Sequence, residues 1–254
     1  MKTSRTFPLL NYFIGWFLFT LSSGKLLAQA QAPLQIHRLT GDFYVYTSFG
    51  VYQNEPVPAN GLYLVTKAGA VIFDSPWDTT QFQPLLDSIF IRHGVKAVLC
   101  IATHFHDDRT AGLSYFRSKG IATYTTRRTD QLSAERGKPR AEFLVDQDTV
   151  FQLGGYRFEL FYPGEGHSPD NIVVWFPKEK ILYGGCFVKS TEAATLGNLS
   201  DANTKAWPVS VKNIFSQLGT PIFVIPGHQS WASNQSLQHT LDLLLEYNQK
   251  AGHQ

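Results

Sequence analysis

Short runs in which hydrophobic and polar residues alternate open the chain, and such runs are typical of β-strands. Turn signals at Thr40-Gly41-Asp42 and Lys67-Ala68-Gly69 separate them. The segments predicted as strands are 36–38, 43–49, 62–66 and 70–73. A β-meander is therefore expected at the start of the folded chain.

An amphipathic helix and a buried strand follow. Apolar residues recur with helical spacing over 79–93, and Gly94 stands where a helix C-cap is expected. The unbroken apolar run at 97–102 is typical of a strand covered on both faces. The other elements predicted in this half are a helix near Asp108, a strand at 121–124 and a polar helix at 127–136.

The second half repeats this plan of strands closed by helices. Its predicted strands are 149–153, 156–162, 171–176, 181–184 and 222–225, and its predicted helices are 209–218 and 234–250. Two strand-rich halves with flanking helices indicate an α+β fold, a β-sandwich with helices outside. No Pro- or Ser-rich linker separates the halves, so we predict a single domain over 31–254.

The N-terminal segment has the order of a secretory signal peptide. Lys2 and Arg5 precede an apolar run at 7–21, and a small-residue stretch follows at 28–32. The alternative is a transmembrane anchor, but polar residues interrupt this run and it is shorter than the ~20 residues that a span needs. We therefore predict a cleaved signal peptide over residues 1–30, a periplasmic location and no stable membrane anchor.

Composition and charge exclude two classes of protein. The chain has 254 residues, 43% of them hydrophobic, which argues against intrinsic disorder. Its formal net charge of +2 becomes −1 when residues 1–30 are removed, because three basic residues and no acidic one leave with them. Nucleic-acid binding needs a clustered basic excess that is missing from this sequence.

The sharpest chemical signal is His104-x-His106-x-Asp108, directly after the predicted buried strand. In extended backbone, positions i, i+2 and i+4 share one face, so the three side chains would converge at a strand end. Imidazole and carboxylate are ligands that zinc accepts. In the alternative interpretation, Asp107 or Asp108 caps a helix and the histidines are polar loop residues.

Three more candidate ligands follow predicted strands: His167 in a Gly-rich loop, Cys186 after a glycine pair, and His228 in Pro226-Gly227-His228. The histidines that lack such a context, and are predicted to be ordinary surface residues, are His37, His93, His239 and His253. In an exported protein a disulfide between Cys100 and Cys186 is the competing use of the second cysteine.

Taken in order, these motifs resemble those of the class B metallo-beta-lactamases. The matching residues are His104-x-His106-x-Asp108, Gly166-His167-Ser168-Pro169-Asp170-Asn171, Cys186 with Lys189, Gly197-Asn198-Leu199 and Pro226-Gly227-His228. The resemblance implies the αββα metallo-beta-lactamase fold and two zinc ions per chain. It places His104, His106 and His167 on the first zinc and Asp108, Cys186 and His228 on the second.

Two positions separate the chain from other hydrolases that the same superfamily contains. Glyoxalase II and the lactonases use His-x-His-x-Asp-His, whereas Arg109 stands at the last position here and stays protonated. Cys186 stands where a bridging carboxylate would be expected, and a thiolate ligand suits the beta-lactamase pattern. This use of Cys186 disfavours the disulfide and leaves Cys100 as a small core residue.

The resemblance also implies a mechanism and a substrate class. A zinc-bound hydroxide would attack the beta-lactam amide of penicillins, cephalosporins and carbapenems, which confers antibiotic resistance. Asp108 would orient the hydroxide or relay a proton, Asn198 would stabilise the developing oxyanion, and Lys189 would bind the substrate carboxylate. Taken alone, Lys189 is better interpreted as an exposed surface charge and Asn198 as a turn residue, and only their order after Cys186 favours the substrate-binding roles.

Other candidates concern substrate access and support of the ligands. Phe49-Gly50-Val51-Tyr52 is predicted to form an apolar hairpin tip that resembles the family's mobile loop, so Phe49, Val51 and Tyr52 are expected to contact substrate. Trp77 is a candidate pocket wall, and Asp74 and Arg109 are expected beside the metal ligands.

Two other functions stay open on the sequence alone. One is hydrolysis of another ester, thioester or lactone by the same fold, which Arg109 and Cys186 argue against. The other is zinc binding without catalysis, which would give Lys189 and Asn198 no reason to accompany the ligands. The family resemblance favours a monomer whose partners are small beta-lactam molecules.

Overall fold

Two β-sheets face each other in the computed structural model, which describes residues 33–252. The predicted signal peptide and His253 lie outside these residues. The first sheet has seven strands in sequence order: β1 (Gln35–Thr40), β2 (Phe43–Tyr52), β3 (Glu55–Thr66), β4 (Gly69–Phe73), β5 (Ala97–Ile101), β6 (Ala122–Thr126) and β7 (Phe143–Val145). The second half of the chain forms the other sheet, as its strand pattern predicts. Its five strands are β8 (Thr149–Leu153), β9 (Tyr156–Phe161), β10 (Val173–Phe176), β11 (Ile181–Gly185) and β12 (Phe223–Pro226).

The helices of the described chain lie near the predicted positions, except that two short helices stand where one was predicted near Asp108. The helices are α1 (Phe82–His93), α2 (Asp107–Thr110), α3 (Leu113–Ser118), α4 (Arg127–Glu135), α5 (Trp207–Gln217) and α6 (Ser236–Ala251). A 3-10 turn (Thr79–Gln81) precedes α1, and Gly94 ends that helix in the left-handed conformation with φ of 68°. No helix within residues 33–252 has the length and apolar character that crossing a membrane requires.

Three apolar layers hold these elements together. Phe73 and Phe176 are packed edge to face between the sheets, with ring centroids 5.4 Å apart. On the outer face of the first sheet, α1 and α3 bury apolar side chains, and on the outer face of the second sheet α5 and α6 do the same. Removing this area from water is the main favourable contribution to folding. The arrangement confirms the predicted αββα sandwich.

The hairpin of β2 and β3 is longer than the sequence pattern predicts. The strands pair from Phe43↔Leu64 to Tyr52↔Glu55, and the turn at Gln53 and Asn54 has φ of 52° and 66°. The prediction of 43–52 as a short strand followed by a loop was therefore wrong for residues 50–52. β7 was also missed by the sequence interpretation.

Strand direction explains where a functional site can form. β4, β5 and β6 are parallel neighbours in the first sheet, and β11 and β12 are parallel in the second. The carboxyl ends of parallel strands meet at one edge of a sheet. The segments after β5, β11 and β12 therefore carry His104, Cys186 and His228 to a common edge of the sandwich.

Candidate metal centre

Three histidine side chains converge at this edge. Nε2 of His104 lies 3.1 Å from Nδ1 of His106, which lies 3.1 Å from Nε2 of His167. Burial lowers the pKa of His104 and of His167 well below the ordinary value, and the neighbouring groups His106 and Lys189 respectively act in the same direction. Both imidazoles are therefore neutral at pH 7, which is the form that binds a metal.

The predicted convergence of His104, His106 and Asp108 is confirmed, but the reason given for it was wrong. β5 ends at Ile101, the histidines lie in a bend, and Asp108 belongs to the first turn of α2. The change from bend to helix brings one ligand atom of each residue within 4.8 Å of the others. Neither Asp107 nor Asp108 caps α2, whose N-cap is His106.

The second triad consists of a carboxylate, a sulfur and an imidazole. Sγ of Cys186 lies 3.2 Å from Oδ2 of Asp108 and 3.2 Å from Nε2 of His228, and those two atoms are also 3.2 Å apart. His228 donates Nδ1–H to the carbonyl of Pro58 at 2.7 Å, which leaves Nε2 facing the triad.

Two glycines allow the backbone to form this triad. Gly185 ends β11 with φ of 52°, a conformation that glycine adopts without strain. A Cβ on Gly227 would lie 2.6 Å from the amide nitrogen of Cys186 and 2.8 Å from Nη2 of Arg109. Any larger residue at position 227 would push apart the loops that carry Cys186 and His228.

Both triads fit a zinc ion in donor chemistry and in spacing. Tetrahedral zinc with ligand distances of about 2.0–2.3 Å separates its ligand atoms by about 3.3–3.7 Å, close to the separations observed here. Three imidazole nitrogens face one another at separations of 3.1 Å, and a proton on one of them can satisfy only one such contact, so a cation between them satisfies the cluster. The six side chains are therefore able to hold two zinc ions.

Arg109 lies under the second triad and is almost completely buried. Its Nη2 is 2.9 Å from Oδ2 of Asp108 and donates to Sγ of Cys186 at 2.9 Å and to the carbonyl of Gly227 at 3.0 Å. Burial alone would raise the pKa of Asp108, but the Arg109 guanidinium and His228 hold it well below its usual range. The prediction that Arg109 supports the ligands agrees with these contacts.

Asp74 anchors the other side of the same guanidinium. Its carboxylate accepts hydrogen bonds from the Thr103 amide at 2.7 Å, from the Tyr183 hydroxyl at 2.6 Å and from Nη1 of Arg109 at 3.3 Å. Burial raises the pKa of Asp74 to about 6, and Arg109 and Tyr183 oppose that rise. Asp74 has φ of 63°, in the left-handed region that non-glycine residues seldom adopt, and its hydrogen bonds hold the backbone in this conformation.

A cavity of about 660 Å³ opens onto both triads. Lys189, Asn198, Tyr52 and Trp77 line it, as expected of substrate-contacting residues. The Lys189 ammonium lies 5.3 Å from the Trp207 ring centroid, and burial lowers the Lys189 pKa.

Asn198 is exposed at the edge of this cavity. Its Oδ1 accepts a hydrogen bond from the Ser200 amide at 3.0 Å, which is the contact of a turn residue. The alternative interpretation of Asn198 is thus correct for its carbonyl oxygen, while the Asn198 amide N–H groups remain available to a ligand.

Two predicted substrate contacts are not brought to this cavity. Phe49 is half-buried within β2 and lines a separate surface cavity with Trp231 and Arg38. Val51 is 64% exposed near the end of the long hairpin and does not line the cavity at the triads. The prediction of a loop at 49–52 placed Phe49, Val51 and Tyr52 together at a hairpin tip. These residues belong to a strand instead, so Phe49 and Val51 share one face and Tyr52 lies on the other.

The structure adds residues that the sequence interpretation did not consider. Oδ2 of Asp201 lies 3.1 Å from Nε2 of His106, and Oδ1 of Asp201 accepts from Arg136 at 2.9 Å. Asn60 donates from Nδ2 to the carbonyls of Pro226 and Gln229, on both sides of His228. The one sequence signal for the role of Asp201 is its position three residues after Asn198, a residue that carries the family resemblance.

The remaining predicted residues have ordinary surroundings. Cys100 and Cys186 are both free and buried, so the disulfide alternative was wrong. His37 is exposed, whereas His93 and His239 are half-buried and each makes a hydrogen bond away from the triads.

We expect the second triad to bind zinc with a steeper dependence on pH than the first. Burial would lower the pKa of His228, but Cys186 and Asp108 raise it to about 9. Zinc must therefore displace a proton from His228 at pH 7, whereas His104 and His167 are already neutral. Because the pKa of His228 is raised, a proton competes with zinc for Nε2 at every pH below about 9. The affinity of the second triad for zinc therefore falls as the pH falls.

Calorimetric zinc titrations in two buffers of different ionisation enthalpy measure this proton release. At pH 7 we expect zinc binding at the second triad to release at least one proton and its affinity to fall about tenfold for each unit of decrease in pH. Zinc binding at the first triad should depend less on pH. Equal proton release from both events would contradict the assignment of His228 to the charged triad.

Comparison with known proteins adds a family and several relatives. The family model described as the metallo-beta-lactamase superfamily matches residues 55–237. A metallo-beta-lactamase type 2 from Elizabethkingia meningoseptica is 43% identical over 230 residues, which span 91% of this chain and 92% of that protein. Metallo-beta-lactamase IND-1 from Chryseobacterium indologenes is 40% identical over 81% of this chain and 86% of its own length.

Solved structures agree with these relatives. The crystal structure of metallo-beta-lactamase IND-7 superposes with a TM-score of 0.80 at 39% identity, over 84% of this chain and 98% of that one. A metallo-beta-lactamase from Pontibacter korlensis gives a TM-score of 0.80 at 35% identity, over 84% of this chain and 99% of its own. The similarity therefore extends over both sheets and all the segments that carry the six side chains.

Proposed function

The chain belongs to the metallo-beta-lactamase superfamily, and on this premise we propose that it hydrolyses the amide bond of penicillins, cephalosporins and carbapenems with two zinc ions. Its relatives are named metallo-beta-lactamases, so the chain is a zinc-dependent hydrolase of beta-lactams that confers antibiotic resistance. The observation that carries the finer proposal is the pair of adjacent triads, each with ligand atoms 3.1–3.2 Å apart, at the floor of one cavity.

The ligand sets proposed for the two zinc ions differ in charge. His104, His106 and His167 would hold one ion with neutral donors, and Asp108, Cys186 and His228 would hold the other with two anionic donors. When bound, zinc ions acidify water and polarise a carbonyl oxygen, which supplies both a nucleophile and an electrophile.

Asp108 is proposed to orient the attacking water. Arg109 holds the Asp108 carboxylate from below and keeps it ionised, so the carboxylate is able to accept a hydrogen bond from that water. Because Arg109 is fixed by Asp74 and Gly227 as well, the position of this carboxylate does not depend on solvent.

Lys189 and Asn198 are proposed to bind and polarise the substrate. The Lys189 ammonium is half-buried and would pair with the carboxylate on the second ring of bicyclic beta-lactams, an interaction strengthened by low solvent exposure. The Ser200 amide donates to Oδ1 of Asn198, so the Nδ2–H groups of Asn198 point away from this contact. They can donate to the substrate carbonyl oxygen, on which negative charge develops.

The walls of the cavity are proposed to contact the rest of the substrate. Tyr52 and Trp77 offer aromatic surface, and Trp77 lies beside the His228 ring with centroids 6.3 Å apart. Gly50 lies against the Trp77 indole so closely that a Cβ would be 2.3 Å from it. The hairpin and the tryptophan therefore form one continuous wall, without Phe49 and Val51.

We further propose that residues 31–254 form one domain, exported to the periplasm after cleavage of a signal peptide over 1–30, and that this domain acts as a monomer. The order of charged, apolar and small residues at the N-terminus supports export. Detection of the processed chain in the periplasmic fraction, together with its mass in solution, tests both statements.

A chromogenic cephalosporin, benzylpenicillin and a carbapenem are the substrates that test the activity. Purified residues 31–254 are expected to hydrolyse all three, to contain about two zinc ions per chain, and to lose activity with a chelator and regain it with zinc. Zinc-loaded protein without turnover would contradict the function, and turnover that survives metal removal would contradict the mechanism.

A further inference from the structure

The C-terminal end of α4 presents two cations in a fixed geometry. Gly137, with φ of 63°, ends the helix, and the Lys138 amide donates to the Ser133 carbonyl at 2.8 Å while the Gly137 amide donates to Ala134. This pair of hydrogen bonds is a Schellman motif. Arg136 and Lys138, on either side of the glycine, are therefore held by a defined backbone and not by a loose loop.

Both side chains line the cavity that opens onto the triads. The Arg136 guanidinium lies 5.3 Å from the ring centroid of Phe105 and donates to Asp201 at 2.9 Å. Nζ of Lys138 donates to Oδ2 of Asp107 at 2.6 Å. We call Arg136 and Lys138 together the α4 cation pair.

The α4 cation pair is close to the reacting centre. Asp201 contacts Arg136 with one oxygen and the candidate ligand His106 with the other, and Asp107 is the residue between His106 and Asp108. Lys189 enters the same cavity from the segment after β11, in the other sheet. Cationic groups thus come to the cavity from segments of both sheets.

The existing ion pairs leave donors of both cations free for a ligand. The Arg136 and Lys138 side chains are 51% and 32% exposed, and an arginine has five N–H donors, of which Asp201 uses one at hydrogen-bond distance. The Asp201 carboxylate also contacts His106, so it neutralises the charge of Arg136 only in part. A guanidinium and an ammonium each form charge-assisted hydrogen bonds with a carboxylate.

We propose that the α4 cation pair recognises a second anionic group on the substrate, a carboxylate on the acylamino side chain of the beta-lactam. This inference rests on the proposed function. In a bicyclic beta-lactam the ring carboxylate and the acylamino group lie at opposite ends of the fused rings. A substrate whose ring carboxylate is on Lys189 therefore directs its side chain away from Lys189, and the α4 cation pair supplies the other lysine and arginine side chains of the described cavity lining.

Benzylpenicillin and carbenicillin test this specificity, because they differ by one carboxylate on the same side chain. The measured quantity is the ratio of kcat/KM for carbenicillin to that for benzylpenicillin. In the double variant Arg136→Gln/Lys138→Gln we expect this ratio to fall about tenfold, through a higher KM for carbenicillin. Lys138→Gln alone, which leaves the Arg136 contact with Asp201 in place, is expected to lower the ratio about threefold.

Matched controls separate recognition from general damage. Arg127→Gln removes the same charge from the other end of α4, where Arg127 pairs with the exposed Asp146, and is expected to leave the ratio unchanged. Lys189→Gln is expected to weaken both substrates alike, since both have the ring carboxylate. An Asp107→Asn variant is expected to raise the ratio, because it frees Lys138 and removes a negative charge from the wall.

The outcomes distinguish this inference from the function on which it rests. Parent enzyme that hydrolyses neither penicillin would overturn the proposed function. Parent enzyme that hydrolyses both, with the same ratio in the double variant as in Arg127→Gln, would overturn the role of the α4 cation pair alone. A fall in the ratio that 0.5 M salt abolishes would support direct charge recognition.

Discussion

Replacing Cys186 by serine is expected to reduce beta-lactam hydrolysis by about 100-fold or more and to lower zinc content from about two ions per chain to about one. Sγ of Cys186 is equally close to Asp108 and His228, so it forms one corner of the second triad. A serine hydroxyl keeps its proton at neutral pH and lacks the charge and polarisability of a thiolate. It would still accept a hydrogen bond from Arg109, so we expect the fold to survive.

Cys100→Ser is the matched control for this substitution. Cys100 is buried in β5 among apolar side chains, with Sγ 4.0 Å from the carbonyl of Asp74. Serine there places a hydroxyl in the core, and we expect a loss of about 1–3 kcal/mol in the free energy of unfolding with unchanged zinc content. Cys186→Ser should thus lose zinc and keep its fold, whereas Cys100→Ser should lose stability and keep its zinc.

Zinc content measured by mass spectrometry and unfolding measured in urea separate the two variants. Cys186→Ser protein that retains both zinc ions would contradict the assignment of Cys186 as a ligand. Loss of zinc from Cys100→Ser to the same extent would show that the effect comes from general damage to the fold.

The ligands could be predicted from sequence because each follows a strand. A strand that ends in a polar exit gives a local signal, and parallel strands bring such exits to one edge. His104, Cys186 and His228 each have this signal. Their order along the chain then matches a known family, which no single motif does.

The residues that support the ligands have no such local signal. Asp201 is 95 positions from His106, and tertiary packing alone brings them together. Tyr183 lies inside β11, where an aromatic residue indicates core packing, and the contacts of its hydroxyl with Asp74 and Arg109 show another role. Polar contacts between distant segments depend on side-chain geometry that a single sequence does not encode in any short pattern.

The long hairpin was missed for a different reason. Pro56 and Pro58 lack the N–H group that a strand between two neighbours needs, so the sequence argues against a strand there. The structure resolves this, because β4 pairs only with residues 62–66 of β3 and the outer half of β3 pairs with β2 alone. Prolines are tolerated where one side of a strand has no partner.

Replacing Arg109 by methionine is expected to lower the free energy of unfolding by about 3–5 kcal/mol and to weaken zinc binding at the second triad. Methionine fills much of the same volume but leaves the buried carboxylates of Asp74 and Asp108 without their shared cation. Removing one partner of a buried ion pair costs much more than the pair contributes, because the remaining charge stays in a medium of low polarity.

Arg140→Met is the control, since Arg140 and Asp130 form a comparable pair with Arg140 largely in solvent. There we expect no comparable loss, because water screens the exposed guanidinium. Urea unfolding of the metal-free and zinc-loaded forms measures both values, and equal losses in the two variants would contradict the role given to Arg109.

The double variant Arg109→Met/Asp74→Asn identifies which charge causes the loss. If the unpaired Asp74 carboxylate dominates, neutralising it should restore a large part of the lost stability, because the Thr103 amide can still donate to the side-chain oxygen. The Tyr183 hydroxyl, which faces the other carboxylate oxygen of Asp74, can accept from the new amide N–H. If Asp108 dominates, the double variant should be no more stable than Arg109→Met, and added zinc should restore stability instead, since the ion then supplies the missing positive charge beside Asp108 and Cys186. Because the two carboxylates flank one guanidinium, Arg109 couples the stability of the sandwich to the charge of the metal centre.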